Sequence, residues 1–464
     1  MATRLQKTQG TATSTKKFTF SAWVKKSSNT TSNDQVIYDS NNDANNRITL
    51  YFRGSTNNTF NIYGALSGST IINLETTRLF RDVSAWYHIV VAFDTTQGTA
   101  ADRIKIYVNG SQETAFNTST YPNQDAVLPT GSSSYVHSLG YYTHGGSSAF
   151  IGYLSHPTYC DGTALAPTSF GSTDSTSGIW RFITPSGFTF GNNGFHLKFE
   201  NSGNLGLDSS GEGNNFTTST GTPLQSLDTP TNVHATMNPL VTYGTNQNAL
   251  TEGNNTTTGI AYHRPSPPTI AVNKGKWYFE AKALSGSASK WWIGLCDAEY
   301  DTKNQGSVGS SANYIWGYDN TTNAVNQRSQ CIYANDLRSG GSIISISSMF
   351  SAGAIAVNDI YAMAVDLDNR KVWYSKNGVW HNGSASESTT WNSSYPDDTN
   401  LDVDRFYYIG VGGENSKWSV NYGNGFFGTT AITSAGSNGN GSLFEYDVPS
   451  GFYALNTKNI NTYG

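Results

Sequence analysis

"VAFDTTQGTAADRIKIYVNG" at residues 91–110 and "AVDLDNRKVWYSKNG" at residues 364–378 are two versions of one pattern. In each stretch an apolar run ends in aspartate, a polar turn follows, and a basic-led strand ends in Asn-Gly. An Asn-Gly pair supplies the positive φ angles that a tight hairpin turn requires. The repetition therefore predicts a hairpin of the same build in each of two folding units.

Length and composition favour two β domains. A chain of 464 residues is long enough for two or three domains. Only 13% of its residues are charged, against about 25% in typical soluble domains. Strand-forming aromatic and β-branched residues are plentiful, and no long stretch keeps apolar residues at helical spacing. We therefore predict an almost entirely β protein.

Alternating segments at short spacing, separated by Gly and Asn turns, indicate sandwiches rather than an α/β sheet. The strand "KFTFSAWVKKSS" at 17–28 places Phe18, Phe20, Ala22 and Val24 on one face. Between the two predicted sandwiches, over residues 201–250, the composition shifts to turn formers, and we predict an ordered linker there. The predicted organisation is an N-terminal tail at 1–16, a sandwich at 17–200, the linker at 201–250, a sandwich at 251–458 and a C-terminal tail at 459–464.

Charge, hydropathy and cysteine content exclude several classes. The net charge of −5 and the lack of a basic run argue against nucleic acid binding. The start of the chain lacks the apolar stretch of a signal peptide, and Asn358 and Asp359 interrupt the longest apolar region, so we predict no membrane insertion. Cys160, Cys296 and Cys331 are odd in number and far apart, which favours buried thiols over disulfides or a zinc site.

Two family resemblances rest on specific motifs. Residues 17–200 resemble laminin G-like domains of the concanavalin A-like group, through "FTFSAWVKKS", "SAWYHIVVAFDTT" and "RIKIYVNG". Residues 274–456 resemble a SPRY domain, through "GKWYFEAKA", "WWIGLCDA" and "PSGFYALN". Both families are two-sheet antiparallel sandwiches of jelly-roll type. The tandem arrangement is similar to virion proteins of tailed bacteriophages, particularly marine ones, such as tail fibres or capsid decoration proteins.

No catalytic pattern stands out in the sequence. The Glu-x-Asp-x-x-Glu motif of carbohydrate-cleaving concanavalin-like proteins is missing, as are HExxH and Gly-x-Ser-x-Gly. The acidic group "DLD" at 366–368 ends in a hairpin turn. We therefore predict that the protein is not an enzyme.

The composition favours sugar ligands, since aromatic rings stack on pyranose faces while Asn, Asp and Ser bond hydroxyls. Two aromatic loops supply the candidate ligand-binding residues, although packing roles are an alternative for each. In SPRY relatives a loop surface grips short peptides, so a protein ligand competes with a glycan for the second domain. The candidates are Tyr141, Tyr142 and His144 in "SLGYYTHGG", and Trp380, His381 and Trp391 in "GVWHNGSASESTTWNSSYP".

A calcium loop is the one metal site that the sequence suggests. Asp39, Asn41 and Asp43 have the alternate spacing of oxygen ligands in calcium loops. Ala44 stands where an EF-hand turn requires Gly, and Leu50 stands where it requires Glu. Two interpretations stay open: a bound Ca²⁺, or a solvated hairpin turn held by Asx hydrogen bonds, which we favour. No other cofactor is predicted.

We predict a non-enzymatic bacteriophage virion surface protein, a tail fibre or capsid decoration, that binds host surface glycans during attachment. One alternative is a purely structural virion component that binds neighbouring capsid or tail subunits. Another is a glycan-degrading enzyme with an unrecognised site. By analogy with phage appendages we expect a homo-oligomer, a trimer, exposed on the virion.

Overall fold

Extended backbone dominates both halves of the chain, as the abundance of aromatic and β-branched residues predicts. Backbone contacts divide the chain into two units, Met1–Gln225 and Ser226–Gly464. The structure is a computed structural model. It describes residues 3–29, 32–55, 57–142, 148–241, 248–259, 264–286, 291–298, 314–315, 318–319, 324–325, 329–333, 336–339, 342–343, 349–381, 387–397, 399, 401 and 404–464.

The first unit is built from strands joined by short turns, with 3₁₀ turns at Ala100–Asp102 and Pro167–Ser169. Its described strands are β1 (Arg4–Thr8), β2 (Lys17–Lys26), β3 (Gln35–Asp43), β4 (Asn46–Phe52), β5 (Phe60–Leu66), β6 (Ser69–Thr76), β7 (Tyr87–Asp94), β8 (Ile104–Val108), β9 (Ser111–Gln112), β10 (Phe116–Thr120), β11 (Val136–Leu139), β12 (Gly152–Asp161), β13 (Gly171–Thr173), β14 (Trp180–Phe182), β15 (Phe195–His196) and β16 (Thr217–Thr220).

Two antiparallel sheets of the first unit enclose its main core. The described strands form an eight-stranded sheet, β10-β6-β5-β4-β3-β11-β1-β16, and a six-stranded sheet, β15-β12-β2-β7-β8-β9. Rings from both sheets meet between them: Phe20 of β2 stacks on Tyr38 of β3 with ring centroids 4.5 Å apart. Phe18, Ala22 and Val24 belong to the same core, which confirms the predicted buried face of β2.

The opposite face of β2 is buried as well. Trp23 is 4% exposed and Thr19 is fully buried, because the segment after β12 folds over this face. The Thr19 hydroxyl donates to the Thr163 carbonyl and accepts from the Leu165 amide, both at 2.8 Å. A second layer therefore covers the six-stranded sheet, where alternation alone predicts only a half-buried strand.

The structure also changes the predicted boundaries of the first unit. Part of the predicted tail at 1–16 is strand β1, which pairs with β11 and β16 in the eight-stranded sheet. Part of the predicted linker at 201–250 belongs to the same unit, because Phe216 is 3% exposed and lies in its core. The second unit begins at Ser226, well before residue 251.

The second unit also consists almost entirely of strands, and it ends in one short helix, α1 (Thr457–Tyr463). Its described strands are β17 (Ala249–Thr251), β18 (Thr256–Thr258), β19 (Arg264–Ser266), β20 (Lys276–Ser285), β21 (Trp291–Asp297), β22 (Tyr314–Ile315), β23 (Tyr318–Asp319), β24 (Ala324–Val325), β25 (Ser329–Tyr333), β26 (Asp336–Ser339), β27 (Ser342–Ile343), β28 (Ile360–Asp366), β29 (Lys371–Lys376), β30 (Val379–Trp380), β31 (Tyr407–Gly413), β32 (Lys417–Asn421), β33 (Phe426–Phe427), β34 (Thr430–Ala431) and β35 (Tyr453–Ala454).

The second unit is likewise a two-sheet sandwich. One sheet runs β17-β18-β32-β20-β28-β29-β30, with β35 added beside β20, and the other runs β19-β31-β21-β25-β26-β27. Trp277 and Trp418 lie in the core between the sheets, and Trp373 is buried on the outer face of the first sheet. Ala362 and Ala364, which alternation predicts to face outward, are fully buried there beside Phe444 and Phe452. The C-terminal segment therefore covers this face, and both faces of β28 are buried.

The two repeated stretches form the same hairpin in both units. β7 pairs with β8, and β28 pairs with β29. Each second strand ends in a tight turn with φ of 49° and 81° at Asn109 and Gly110, and of 51° and 78° at Asn377 and Gly378. Each asparagine side chain accepts the backbone N–H of the strand opposite at 2.8 Å. The predicted paired hairpins and their positive-φ turns are confirmed, and the asparagine side-chain hydrogen bonds are an addition that the structure shows.

Cys160, Cys296 and Cys331 are buried thiols, as predicted. In the part of the chain that the structure describes, no helix has the length and apolar character needed to cross a membrane.

Candidate functional site

The outer face of the eight-stranded sheet carries polar and aromatic side chains. Alternation sends Ile48, Leu50 and Phe52 of β4 into the core, so the residues between them point away from it. Strand register aligns these outward residues in rows across the sheet. The rows are Asn41–Arg47–Ala65, Asp39–Thr49–Tyr63–Asn73 and Tyr51–Asn61–Glu75. We call this set the outer face.

Arg47 lies in the row at one end of the outer face, between two aromatic rings. The carbon of its guanidinium lies 4.8 Å from the ring centroid of Tyr63 and 4.6 Å from that of Tyr142. All three side chains are half-buried. Tyr141, the residue before Tyr142, forms an isolated bridge with Ala149, which also bridges Val36 of β3. The structure thus brings the sequence candidate Tyr142 next to two residues that the sequence did not single out.

The remaining polar groups of the outer face are held by one another. Asn61 donates through Nδ2 to the Tyr51 hydroxyl at 2.6 Å. The Tyr63 hydroxyl lies 3.1 Å from Thr70 Oγ1. Asn61 is 1% exposed, and its Oδ1 finds no hydrogen-bond partner among the described residues. Hydroxyls and amides in this arrangement both donate and accept, which suits a ligand rich in hydroxyl groups.

The predicted calcium ligands are occupied by protein donors. Asp39 is fully buried, and its two carboxylate oxygens accept from Thr49 Oγ1 and from Asn41 Nδ2. Asp43 lies at the end of β3 and accepts from the Asn45 amide at 2.8 Å and from Asn46 Nδ2 at 3.0 Å. Among the described residues no group of His, Cys, Asp and Glu is arranged to hold a metal. The geometry at Asp43 is that of the Asx-bonded turn, although Asp39 and Asn41 are buried rather than solvated.

The aromatic candidates of the second unit are interior residues rather than loop-surface residues. Trp380 is 5% exposed and lies in β30, and His381 is 6% exposed and pairs through Nδ1 with the Asp397 carboxylate. Trp391 is half-buried, with its ring edge-on to both Trp373 and Phe452 at 5.5 Å. Packing therefore buries Trp380 and His381 and leaves only Trp391 partly exposed. Tyr141 is half-buried beside the outer face, and His144 lies outside the described residues.

One serine and one histidine meet in the first unit in a way that suggests a nucleophile. Ser21 Oγ lies 2.8 Å from His88 Nε2, and Trp180 Nε1 lies 2.9 Å from His88 Nδ1. Because an indole nitrogen only donates, His88 Nδ1 must accept, and the ring proton must lie on Nε2. His88 Nε2 then donates to Ser21 and cannot take its proton. This pair therefore holds the second layer in place and cannot act as nucleophile and base.

Sequence reasoning missed a buried carboxylate in the second unit. Glu280 is fully buried on the outward side of β20, where it accepts the backbone amides of Glu445 and Tyr446 at 2.8 Å and 2.9 Å. The Tyr278 hydroxyl donates to the same carboxylate at 3.0 Å. Burial raises the pKa of Glu280 to about 7, although these donors oppose the shift. Through these hydrogen bonds Glu280 holds the C-terminal segment against the sheet. A single glutamate in an alternating strand gives no sequence signal for such a role.

Comparison with known families identifies both units. Residues 3–158 match the family model described as the concanavalin A-like lectin/glucanases superfamily, Laminin_G_3, and residues 276–396 match the SPRY domain model. The chain carries a laminin G-like domain and a SPRY domain. Both predicted resemblances are confirmed, with the first match beginning at β1 rather than at residue 17.

Solved structures give a fold-level likeness only. A pentraxin from Limulus polyphemus is 18% identical over 36% of this chain and 72% of its own, with a TM-score of 0.27. Domain 4 of the arabinanase AbnA from Geobacillus stearothermophilus, solved with arabinotriose, is 21% identical over 36% and 68%, with a TM-score of 0.26. The SPRY domain of human HERC1 is 11% identical over 37% and 91%, with a TM-score of 0.23.

A search of curated proteins finds no match to the chain. At the identities and TM-scores of the solved structures, these neighbours carry no argument about its function.

Proposed function

We propose that the protein is a non-enzymatic carbohydrate-binding protein and that the outer face of its laminin G-like domain is the binding surface. The observation that supports this most is the position of the Tyr63 and Tyr142 rings. Both are half-buried, and each turns one ring face toward Arg47. The rest of each ring can stack on the apolar face of a pyranose while the surrounding amides and hydroxyls bond its hydroxyl groups.

The chemistry around the rings fits a sugar better than an apolar ligand. The row that contains Tyr63 is polar along its length, with Asp39, Thr49 and Asn73 in it. Asp39 and Thr49 are buried and bonded to each other, so Tyr63 and Asn73, both half-buried, are the members of this row that a ligand can reach. Binding then depends on hydroxyl groups in the right places, which carbohydrates supply.

The test is a glycan array probed with the full chain and with Tyr63→Ala. Removal of one stacking ring is expected to weaken binding to the recognised glycans about tenfold. Tyr395→Ala is the matched control, because Tyr395 is 49% exposed in the SPRY unit and lies outside the outer face. Unchanged binding by Tyr63→Ala would move the site away from this face, and the absence of any glycan signal would remove the proposed function.

We further propose that the protein is exposed on a tailed-bacteriophage virion and that the recognised glycans belong to the host surface. The support is the resemblance of the laminin G-like and SPRY tandem to phage tail-fibre and decoration proteins. Immunogold labelling of purified particles with serum raised against the chain tests the location. A particle-bound protein that binds no glycan would favour the purely structural role. The trimer stays a prediction, to be checked by light scattering.

A further inference from the structure

We propose that Arg47 makes the outer face selective for acidic carbohydrates, by binding a carboxylate or sulfate group carried on the sugar. This inference rests on the proposed carbohydrate-binding function and names the chemical class of its ligand. It comes from the surroundings of a single side chain.

Arg47 is a half-buried cation that has no polar partner among the described residues. The described residues offer its guanidinium no hydrogen bond and no ion pair, and its Nε is buried without a partner. Two other arginines of this unit are paired: Arg78 bonds Glu113 at 2.7 Å and Arg181 bonds Asp174 at 2.9 Å. The nearby Asp39 carboxylate is already held by Thr49 and Asn41.

The contacts of Arg47 orient its remaining donors. Rings at 4.8 Å and 4.6 Å attract the guanidinium through cation–π interactions, which restrict its position. Because Nε is buried, the terminal nitrogens are the donors left for a ligand. Their N–H groups form a planar fork that matches the two oxygens of a carboxylate or sulfate in a bidentate pair. A cation held in this way loses little conformational entropy when an anion binds.

The same geometry explains why a neutral sugar is a poorer fit. A hydroxyl can accept only part of the fork, and it brings no charge to offset the half-buried cation. An acidic sugar satisfies the guanidinium while its ring rests against Tyr63 or Tyr142. Carboxylated and sulfated sugars share this chemistry, so the experiment has to separate them.

The experiment is calorimetric titration of the full chain with oligosaccharides in matched pairs. One pair is oligogalacturonate and its methyl ester, and the other is a sulfated galactan oligosaccharide and its desulfated form. We expect the acidic member of at least one pair to bind about 10- to 100-fold more tightly than its neutral partner. The pair that shows the preference tells which anionic group is recognised, and the preference should weaken as salt is added.

Arg47→Gln should remove that preference, so the readout is the ratio of acidic to neutral affinity within each pair, which should fall close to one. Arg47→Lys keeps the charge but loses the planar fork, and it should retain only part of the preference. Arg81→Gln is the matched control, since Arg81 is an exposed arginine of the same unit, and it should behave as the unaltered chain. If Arg47→Gln lowers the melting temperature, Arg47→Lys supplies the comparison.

Equal affinity for acidic and neutral members, or an acidic preference that survives in both Arg47 variants, would overturn the inference and leave carbohydrate binding standing. If none of the oligosaccharides binds, the inference falls, and the glycan array alone decides whether the proposed function stands.

Discussion

Mild acid should destabilise the laminin G-like unit through its buried histidines. His88 is fully buried and His137 is 1% exposed. Burial lowers the pKa of each to about 3, from an ordinary value of 6.5. A nearby histidine pair, His156 and His196, has its pKa values lowered to about 4 by burial as well. All four rings are therefore neutral in the folded protein at pH 5 but protonated in the unfolded chain.

The sign and size follow from proton linkage. Because the folded pKa values are depressed, the stabilisation is present above pH 6.5 and is lost as the pH falls from there toward 3. Each histidine contributes about 1.4 kcal/mol of loss per pH unit within this window. At pH 5, His88 and His137 together cost about 4 kcal/mol, and the second pair adds to this. Since domains are commonly stable by about 5–15 kcal/mol, the loss is large enough to measure easily.

The assay is urea unfolding of the full chain between pH 7.5 and pH 5. Unfolding is monitored by hydrogen-exchange mass spectrometry of peptides from residues 1–225, with exchange rates corrected for the pH dependence of intrinsic exchange. The slope of the unfolding free energy against pH gives the number of protons taken up on unfolding. We expect at least two near pH 5, and one fewer in His137→Gln. An uptake below one proton would refute the assignment of neutral buried histidines.

Two further predictions concern the turns and the SPRY unit. Gly110→Ala and Gly378→Ala should each lower the free energy of urea unfolding by about 2–3 kcal/mol, because both positions have positive φ and the added Cβ would lie 2.6 Å from the Trp180 ring and 2.7 Å from the Tyr446 ring, respectively. The controls Gly187→Ala and Gly451→Ala, at positive φ with open space around the Cβ, should lower it by about 1 kcal/mol. Equal losses in all four variants would contradict this prediction. For Glu280, whose folded pKa is raised to about 7, the stabilisation is complete below about pH 4.5 and is lost as the pH rises through 7. Exchange protection of peptides from residues 226–464 should therefore increase by about 2 kcal/mol from pH 7.5 to pH 5, and Glu280→Gln should abolish that increase; an increase that persists in the variant would assign it to another group.

Much of the fold could be predicted because local signals agree with it. The period-two alternation in β2 and the Asn-Gly turns at Asn109 and Asn377 act over a few residues, so the sequence carries them directly. What alternation could not tell is whether the second face of a strand meets water. Trp23 and Ala364 lie on faces that distant segments cover, 163–190 in one unit and the C-terminal segment in the other. The same limit explains Trp380 and His381, whose loop composition suggested exposure.

The candidate site shows a second limit of prediction from sequence, which is the register between paired strands. Arg47 and Tyr63 are 16 positions apart, and Tyr142 follows Arg47 by 95 positions, yet the three side chains are in contact. The first pair follows from antiparallel register between β4 and β5, where Arg47 pairs with Ala65 and Thr49 pairs with Tyr63. The second contact accompanies the isolated bridges of Ala149 with Tyr141 and with Val36 of β3. Neither strand register nor a long-range bridge leaves a mark in composition, so the sequence showed Tyr142 as an aromatic candidate but did not show that Arg47 lies against its ring. The selectivity that we infer for Arg47 therefore depends on the fold rather than on the residue type. On an exposed turn the same arginine would bind water or a neighbouring carboxylate, whereas here the two rings leave its terminal N–H groups available to an anionic sugar.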